Sequence, residues 1–198
     1  MAGLLAILLV GGCTSFREWA YEAGRDEWQR PDDIVAALEI EPGATVADLG
    51  AGSGYFTSRL ADAVGPRGHL YAVDVDEKMN ERLRQRLADE GIENAEVVLG
   101  RYEDPLLPDG EIDLVFTSNT YHHIERRPAY FGNLKADLTP GGRVAILDHD
   151  GRKGWFVRLL GHYVAKDVIL DEMEQAGYEL VADLDISDRQ SFLVFTPS

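Results

Sequence analysis

The sequence predicts one α/β domain in which helices cover both faces of a mostly parallel, doubly wound sheet. Segments of strand length alternate with longer helical patterns from about residue 43 onward, and this alternation is typical of parallel sheets. The strands are nearly continuous apolar runs, as expected where both faces of a strand are buried. A chain of 198 residues is long enough for one domain with a substantial core and too short for two comfortable ones.

Seven strands follow one another along the chain. The last two are joined by the short polar link SDRQ, which predicts an antiparallel hairpin. The predicted strands are TVADLG (45–50), HLYAVDV (69–75), AEVVLG (95–100), IDLVFTSN (112–119), RVAILDHD (143–150), YELVADLDI (178–186) and SFLVFT (191–196).

Helices are predicted between these strands and before the first one. Residues 16–41 form an amphipathic cap in which Pro31 suits the first turn of a helix that ends before Pro42. The later helical patterns end at glycine or proline, which interrupt regular structure. They cover residues 55–64, 77–91, 128–138 and 165–177.

The acidic composition disfavours one class of partner. Acidic residues outnumber basic ones by 35 to 19, and the formal net charge is −16. A surface of this charge repels nucleic-acid phosphates, and no basic stripe offsets it. We therefore expect a small molecule, lipid or protein as the substrate and no nucleic acid. The sequence predicts no particular oligomeric state.

The first 15 residues differ in character from the rest. An apolar run at 4–10 is followed by two glycines and by Cys13, the single cysteine, so an internal disulfide is excluded. Small residues before a lone cysteine resemble a bacterial lipoprotein processing site, although no basic residue precedes the run. Residues 1–15 are then a leader-like segment and 16–198 the domain. A lipidated envelope protein and a cytoplasmic protein with a packed N-terminus both remain open.

Glycines follow the first strand at a spacing of two. The strand ends at Asp48, and Gly50, Gly52 and Gly54 come next. In a doubly wound sheet, ligands lie beyond the carboxyl ends of the strands, and glycine lets the backbone approach a ligand closely. Asp74 ends the second strand, in position to accept hydrogen bonds from ribose hydroxyls. Together these residues predict a nucleoside lying across the first two strands.

The spacing distinguishes two cofactors. A dinucleotide fingerprint has a third glycine at the position of Tyr55, whereas the pattern here is G-x-G-x-G. In this the chain resembles the class I methyltransferases that use S-adenosylmethionine. The resemblance spans about 43–195 and includes the segments YAVDVDEKM, DLVFTSNTYHHI and LKADLTPGGRVAILD. It implies a Rossmann-like core at about 43–198 with strand order 3-2-1-4-5-7-6 and the last strand antiparallel.

The resemblance also implies a cofactor site for S-adenosylmethionine. Many family members have Gly-Asp after the third strand, but this chain has Gly100-Arg101. Glu103 is therefore expected to meet the adenine amino group, with Asp104 or a backbone group as alternatives. The residues implied for the cofactor are Asp48, Gly50, Ala51, Gly52, Ser53, Gly54, Tyr55, Asp74, Val75, Glu103 and Asn119.

Methyl transfer from a sulfonium depends mainly on positioning and desolvation, because orientation alone contributes about 7–11 kcal/mol. If the acceptor is protonated, His122 and His123 are candidate catalytic bases near the cofactor, the alternative being that they pack and cap the following loop. We expect no metal, although His149 with either histidine would supply metal-ligand chemistry. The acceptor is predicted to be a small molecule or an envelope component.

Two other functions are compatible with these patterns. A catalytically silent nucleoside-binding or interaction protein would keep the same fold, and a nicotinamide-dependent oxidoreductase is disfavoured by Tyr55. The N-terminal aromatic residues Trp19, Tyr21 and Trp28 are interpreted as core positions. Alternatively, they form a lid that excludes water from the cofactor, with Arg25, Gln29 or Arg30 reaching the ligand.

Overall fold

A computed structural model describes residues 24–151 and 162–198. The strands are β1 (Thr45–Leu49), β2 (His69–Asp74), β3 (Ala95–Leu99), β4 (Ile112–Ser118), β5 (Leu138–His149), β6 (Tyr178–Leu184) and β7 (Gln190–Pro197). The helices are α1 (Pro31–Ala37), α2 (Thr57–Val64), α3 (Glu77–Glu90), α4 (Arg127–Leu134) and α5 (Lys166–Gln175), with a 3-10 turn at Tyr121–His123. Residues 24–29 are also helical.

The seven strands form one sheet in the order β3-β2-β1-β4-β5-β7-β6. The first five pair in parallel, and β7 runs antiparallel to both β5 and β6. The predicted order and the predicted hairpin are confirmed. Because the strand order reverses between β1 and β4, a crevice opens at their carboxyl ends, where doubly wound folds bind ligands.

Side chains from alternate positions of each central strand supply two separate apolar layers. In β5, Val144 and Ile146 face one layer, whereas Ala145 and Leu147 face the other. The first layer receives side chains of α4 and α5, among them Phe131, and the second receives those of α1 and α2. Burial on both faces explains why the strand sequences are almost continuously apolar.

The helix ends follow local sequence signals. Pro31 begins α1 with two aspartates in the first turn, as predicted, and these charges favour a helix N-terminus. Asp76 caps α3 by accepting a hydrogen bond from the backbone N–H of Lys78. Gly91 ends the same helix in the left-handed region, with φ of 68°.

The strand boundary that differs most from the prediction is the start of β5. β5 begins at Leu138 rather than at Arg143, because Leu138 pairs with Ile112 ahead of an irregularity in the ladder. The Pro-Gly-Gly turn therefore lies within the strand instead of before it. Gly142 is required there, since an added Cβ would lie 2.8 Å from the carbonyl oxygen of Ile112. The preceding helix is correspondingly shorter and ends at Leu134.

The predicted leader at 1–15, with Cys13, lies outside the described residues, as do Trp19 and Tyr21. Within the described ranges, no helix has the length and apolar character needed to cross a membrane.

Replacement of Phe116 tests how far the stability of the fold depends on side-chain packing at the central strand β4. Its side chain is fully buried in β4 and meets Phe56 edge to face, with ring centroids 4.9 Å apart. We expect Phe116→Ala to lower the free energy of unfolding by about 3–5 kcal/mol, because truncation removes apolar burial and leaves a cavity. Chemical denaturation measures this loss. Val181→Ala, on a side chain that is 52% exposed, is the control and should change stability little.

Candidate functional site

A polar cleft lies where the sheet order reverses. A cavity of about 540 Å³ opens at the carboxyl ends of β1 and β4. Its lining combines the glycine loop after β1, the turn after β4 and residues from the helical segment 24–29. The lining residues include Arg25, Trp28, Asp48, Gly50, Ala51, Gly52, Ser53, Tyr55, Asn119, Thr120, His122, His123, His149 and His162.

A second cavity of about 420 Å³ adjoins the first. It is lined from the ends of β2 and β3 by residues that include Asp74, Val75 and Tyr102. Gly50, Thr120 and His123 line both cavities. The two cavities are therefore neighbouring compartments of one cleft that extends across β4, β1 and β2.

Two glycines of the loop after β1 are each required by a specific close contact. Gly50 has φ of +78°, and an added Cβ would lie 2.6 Å from the Cβ of Thr120 and closer still to its hydroxyl oxygen. At Gly54 an added Cβ would overlap the side chain of Leu83 on α3. Gly50 thus permits the close approach of the loops after β1 and β4, while Gly54 permits packing of the loop against α3.

Asp74 connects the end of β2 to the glycine loop. One carboxylate oxygen accepts a hydrogen bond from the backbone N–H of Gly52 at 2.8 Å, and the other accepts from the N–H of Asp76 at 2.9 Å. Each carboxylate oxygen has a second lone pair. The half-buried carboxylate at the edge of the second cavity can therefore orient the loop and still accept from a ligand hydroxyl.

Asp48 lies under the first cavity and is 2% exposed. Thr57 donates a hydrogen bond to it at 2.7 Å. Burial raises the pKa of Asp48 from 3.8 to about 6, with a smaller upward effect of the Asp74 charge and an opposing effect of the Thr57 hydrogen bond. Asp48 is therefore a group whose charge responds to conditions near neutrality and to any cation that binds above it.

His122 is oriented by a buried carboxylate. Its Nδ1 lies 2.8 Å from one oxygen of Asp148 and 3.0 Å from the other. Asp148 is fully buried at the end of β5 and also accepts from the backbone N–H groups of His122 and His149. An ionised carboxylate is an acceptor only, so Nδ1 is the donor in this contact and Nε2 is left for another partner.

Two further histidines adjoin His122. Its ring centroid lies 4.1 Å from that of His123 and 5.5 Å from that of His162. Burial lowers the pKa of His123, and the neighbouring His122 and His162 lower it further. His149 instead stacks on Trp28, with centroids 5.7 Å apart. The structure therefore groups His122 and His123 with His162, whereas the metal-site alternative considered from the sequence used His149.

The helical segment 24–29 covers the first cavity. The guanidinium of Arg25 lies 3.7 Å from the ring centroid of Tyr55, whose hydroxyl donates to Asp26. Gln29 is fully buried and donates to Gln190 at 3.1 Å. Gln190 in turn donates to the side-chain oxygen of Asn119 at 2.7 Å. This chain of hydrogen bonds fixes Asn119, whose backbone has a φ of 54°, relative to the covering segment.

Most of the residues predicted for the site come together in this cleft. Nine line the first cavity, Asp74 and Val75 line the second, and Gly54 lies beside the loop against α3. Glu103 is the residue that the structure does not bring to either cavity, since it is exposed and lines a separate smaller one. Its neighbour Tyr102 lines the second cavity.

Sequence reasoning missed several lining residues, among them Thr120, Tyr102 and His162. Thr120 and Tyr102 belong to no spacing pattern, and their proximity to the cleft depends on loop geometry. His162 follows β5 in the chain at a distance that gives no local signal. The two other histidines of its group were found because they directly follow the fourth strand.

This strand order, with an antiparallel β7 and a divided cleft at β1 and β4, defines the class I methyltransferase fold. Residues 40–184 match the sequence model of a methyltransferase domain family. The chain belongs to this methyltransferase domain family, for which S-adenosylmethionine is the implied cofactor. The resemblance found in the sequence motifs is thereby confirmed.

Solved structures share the fold. A S-adenosylmethionine-dependent methyltransferase from Aquifex aeolicus superposes with a TM-score of 0.79 and 23% identity over 83% of this chain and 88% of that one. A TehB-like methyltransferase from Corynebacterium glutamicum gives a TM-score of 0.69 and 19% identity over 95% of this chain and 97% of the other.

Relatives of known activity match a shorter region. An arsenite methyltransferase of Halobacterium salinarum is 35% identical over 113 residues, which are 57% of this chain and 29% of that protein. The ubiquinone/menaquinone biosynthesis C-methyltransferase UbiE of Burkholderia cenocepacia is 31% identical over 114 residues, which are 58% of this chain and 46% of the enzyme. The chain thus matches less than half the length of either relative.

The pKa of Asp48 generates a prediction about stability. Because the folded protein holds this proton more tightly than the unfolded chain, the carboxyl stabilises the fold fully below pH 3.8, and this contribution is lost as the pH rises through about 6. Asp48→Asn removes the titration and keeps an oxygen that can accept from Thr57. We expect the variant to gain about 3 kcal/mol relative to wild type between pH 4 and 7. Urea denaturation at several pH values measures the difference, and a pH-independent difference would contradict this assignment.

Proposed function

We propose that the protein transfers the methyl group of S-adenosylmethionine to a small-molecule or envelope-associated acceptor bound in the first cavity. The observation that carries the proposal is the divided cleft, in which the glycine loop lines the first compartment, Asp74 lines the second and Gly50 lines both. The family supports the cofactor, and the acceptor is assigned from the chemistry of the first compartment.

The residues of the cleft fit the cofactor. At Gly52 an added Cβ would meet nothing within 4 Å, so its backbone faces open space where a ligand can approach closely. We assign the amino-acid part of the cofactor to the loop from Gly50 to Tyr55, with Asp48 beneath it. Asp74 would accept from the ribose hydroxyls. The apolar lining at Val75 supports the second cavity as the adenine compartment, with Glu103 kept as the prediction for the amino group.

Bound S-adenosylmethionine would supply an electrophilic methyl group attached to a sulfonium sulfur. When the acceptor takes the methyl carbon, the rest of the cofactor would leave as S-adenosylhomocysteine. The protein's part is to orient the two reactants and to exclude water. Trp28 and Arg25 would close the first cavity over the acceptor, which supports the lid interpretation of this segment. Asn119 is held in place by Gln190 and would face the reacting groups.

His122 and His123 are proposed to activate an acceptor that carries a proton. Both line the first cavity, and His122 has its Nδ1 fixed on Asp148, so that its free Nε2 is available for chemistry. His123 lines both compartments and therefore lies at the boundary where cofactor and acceptor would meet. This position supports the catalytic assignment better than the alternative of capping alone.

The names of the relatives do not identify the acceptor of this chain. One is named for arsenite and the other for ubiquinone and menaquinone biosynthesis, so the two relatives are named for different molecules. The acceptor of this chain is determined by the first cavity, whose lining includes four histidines and Trp28. These side chains favour a compact acceptor with a polar reacting atom over an extended apolar one.

Gly50 provides the sharper of two binding tests. In Gly50→Ala the new Cβ collides with Thr120, so the loops must separate. Gly43→Ala also places a side chain at positive φ, +98°, but meets nothing within 4 Å, which makes it the matched control. We expect Gly50→Ala to weaken S-adenosylhomocysteine binding at least 10-fold in calorimetry and Gly43→Ala to leave it unchanged. Equal affinity of the two variants would contradict the proposed loop contact.

Asp74 tests the sugar contact. Removing a charged acceptor of hydrogen bonds costs about 1.5–3 kcal/mol, so we expect Asp74→Ala to weaken S-adenosylmethionine binding about 10- to 100-fold. Asp76→Ala removes a neighbouring exposed carboxylate that caps α3 and should lower stability without lowering affinity. Binding of NAD in place of both methionine compounds would overturn the proposal in favour of an oxidoreductase.

Turnover separates an enzyme from a silent binding protein. Protein that binds the cofactor is incubated with S-adenosylmethionine and panels of hydroxyl, thiol, amine and quinol acceptors, and S-adenosylhomocysteine is measured by mass spectrometry. We expect acceptor-dependent product that Asp74→Ala reduces. Cofactor binding without product over these classes would instead support a silent nucleoside-binding protein.

A further inference from the structure

We propose that His122, His123 and His162 together bind a divalent transition-metal ion in the wall of the acceptor cavity. One ligand atom from each of the three lies within 4.8 Å of the others, and all three residues line the cavity. Among the described residues, these three histidines are the one group of three or more histidine, cysteine, aspartate or glutamate side chains whose ligand atoms converge in this way. Metal binding is independent of the proposed function, whereas the role given to the metal below rests on it.

The first ligand is already oriented as metal-binding histidines are. A metal-ligating imidazole commonly donates its other N–H to a carboxylate, which fixes the ring and the tautomer. His122 has this arrangement, with Nδ1 at 2.8 Å from Asp148. The side chain of His122 is 6% exposed and that of Asp148 is fully buried. Asp148 is therefore assigned as the residue that positions His122, since its oxygens are occupied by hydrogen bonds.

The other two ligands can adjust. In a tetrahedral zinc site with metal–nitrogen distances of 2.0–2.1 Å, ligand nitrogens lie about 3.3 Å apart, so the rings must approach one another to close the site. His123 and His162 are exposed, and their rings lie 5.5 Å apart between centroids. Rotation of these two side chains closes the site around a fixed His122.

The donor set selects the type of metal. Three neutral imidazoles suit zinc, cobalt, nickel, copper or iron, whereas magnesium and calcium prefer oxygen ligands. Three protein ligands with an open fourth position are typical of catalytic zinc sites. Here the fourth position faces the cavity proposed for the acceptor. The site is therefore suited to bind the reacting oxygen or sulfur of an acceptor directly.

This arrangement specifies how a hydroxyl or thiol acceptor would be activated. Coordination to the metal lowers the pKa of the bound O–H or S–H group. The proton leaves to water in the cavity, and the electron pair of the broken bond stays on the oxygen or sulfur, which becomes the nucleophile. In this arrangement His122 and His123 act as metal ligands rather than as bases. The charge of the metal then performs the activation of the acceptor that we propose for these histidines.

Cobalt provides the direct test. The full chain is freed of metal with a chelator and titrated with Co²⁺, whose visible absorption reports tetrahedral coordination, and Zn²⁺ is then added in competition. We expect one ion per chain. His123→Ala and His162→Ala, at exposed positions, should each weaken binding at least 10-fold, and His149→Ala, in the same cavity but outside the group, should not. Absence of stoichiometric binding, or equal loss in His149→Ala, would overturn the site.

The same preparations separate this inference from the proposed function. S-adenosylhomocysteine binding is measured by calorimetry on metal-free and metal-loaded protein. Cofactor binding with no metal uptake would overturn the metal site and leave the histidines as free bases. Metal uptake with no cofactor binding would uphold the site and remove the methyltransferase proposal. If both bind, we expect removal of the metal to abolish turnover of hydroxyl and thiol acceptors. Addition of Zn²⁺ should restore that turnover.

Discussion

The close approach of two loops, the one after β1 and the one after β4, is the constraint on which the cleft depends. The backbone of Gly50 lies against Thr120, whose hydroxyl is 3.5 Å from the Gly50 carbonyl oxygen, and no side chain larger than hydrogen fits between them. From this contact the chain continues to α2 on one face of the sheet and to α4 on the other. Because the chain leads from this contact to opposite faces of the sheet, a cleft opens above it. Gly50 keeps the two loops close together at the base of the cleft.

Two buried carboxylates lie beneath this cleft at the ends of β1 and β5, the strands on either side of β4. Asp148 accepts hydrogen bonds from two backbone N–H groups and from His122, which offset the cost of burying its charge. Asp48 has one side-chain donor, Thr57, whose hydrogen bond only partly opposes the effect of burial, so burial raises the pKa of Asp48 to about 6. The first carboxylate is satisfied within the fold and serves to orient a side chain. The second lies at the lining of the first cavity with a raised pKa.

The fold was largely predictable because its signals are local. Apolar runs, helix caps and turn glycines specify the elements one at a time, and their alternation leaves few topologies. The early start of β5 escaped prediction because the pairing of Leu138 with Ile112 is long-range. The glycine loop and Asp74 were predictable for the same local reason. His162 and Thr120 were not, since tertiary contacts alone bring them to the cleft.

The residues around the cleft lie partly inside and partly outside the family match. The family match spans 40–184 and includes the glycine loop, Asp74 and all three grouped histidines. Gln29, which anchors the covering segment, and Gln190, which holds Asn119, both lie outside that range. The covering segment and β7 thus meet at the hydrogen bond from Gln29 to Gln190, beside Asn119, through residues that the family model does not include. The segment that covers the first cavity is therefore anchored by residues outside the region that defines the family.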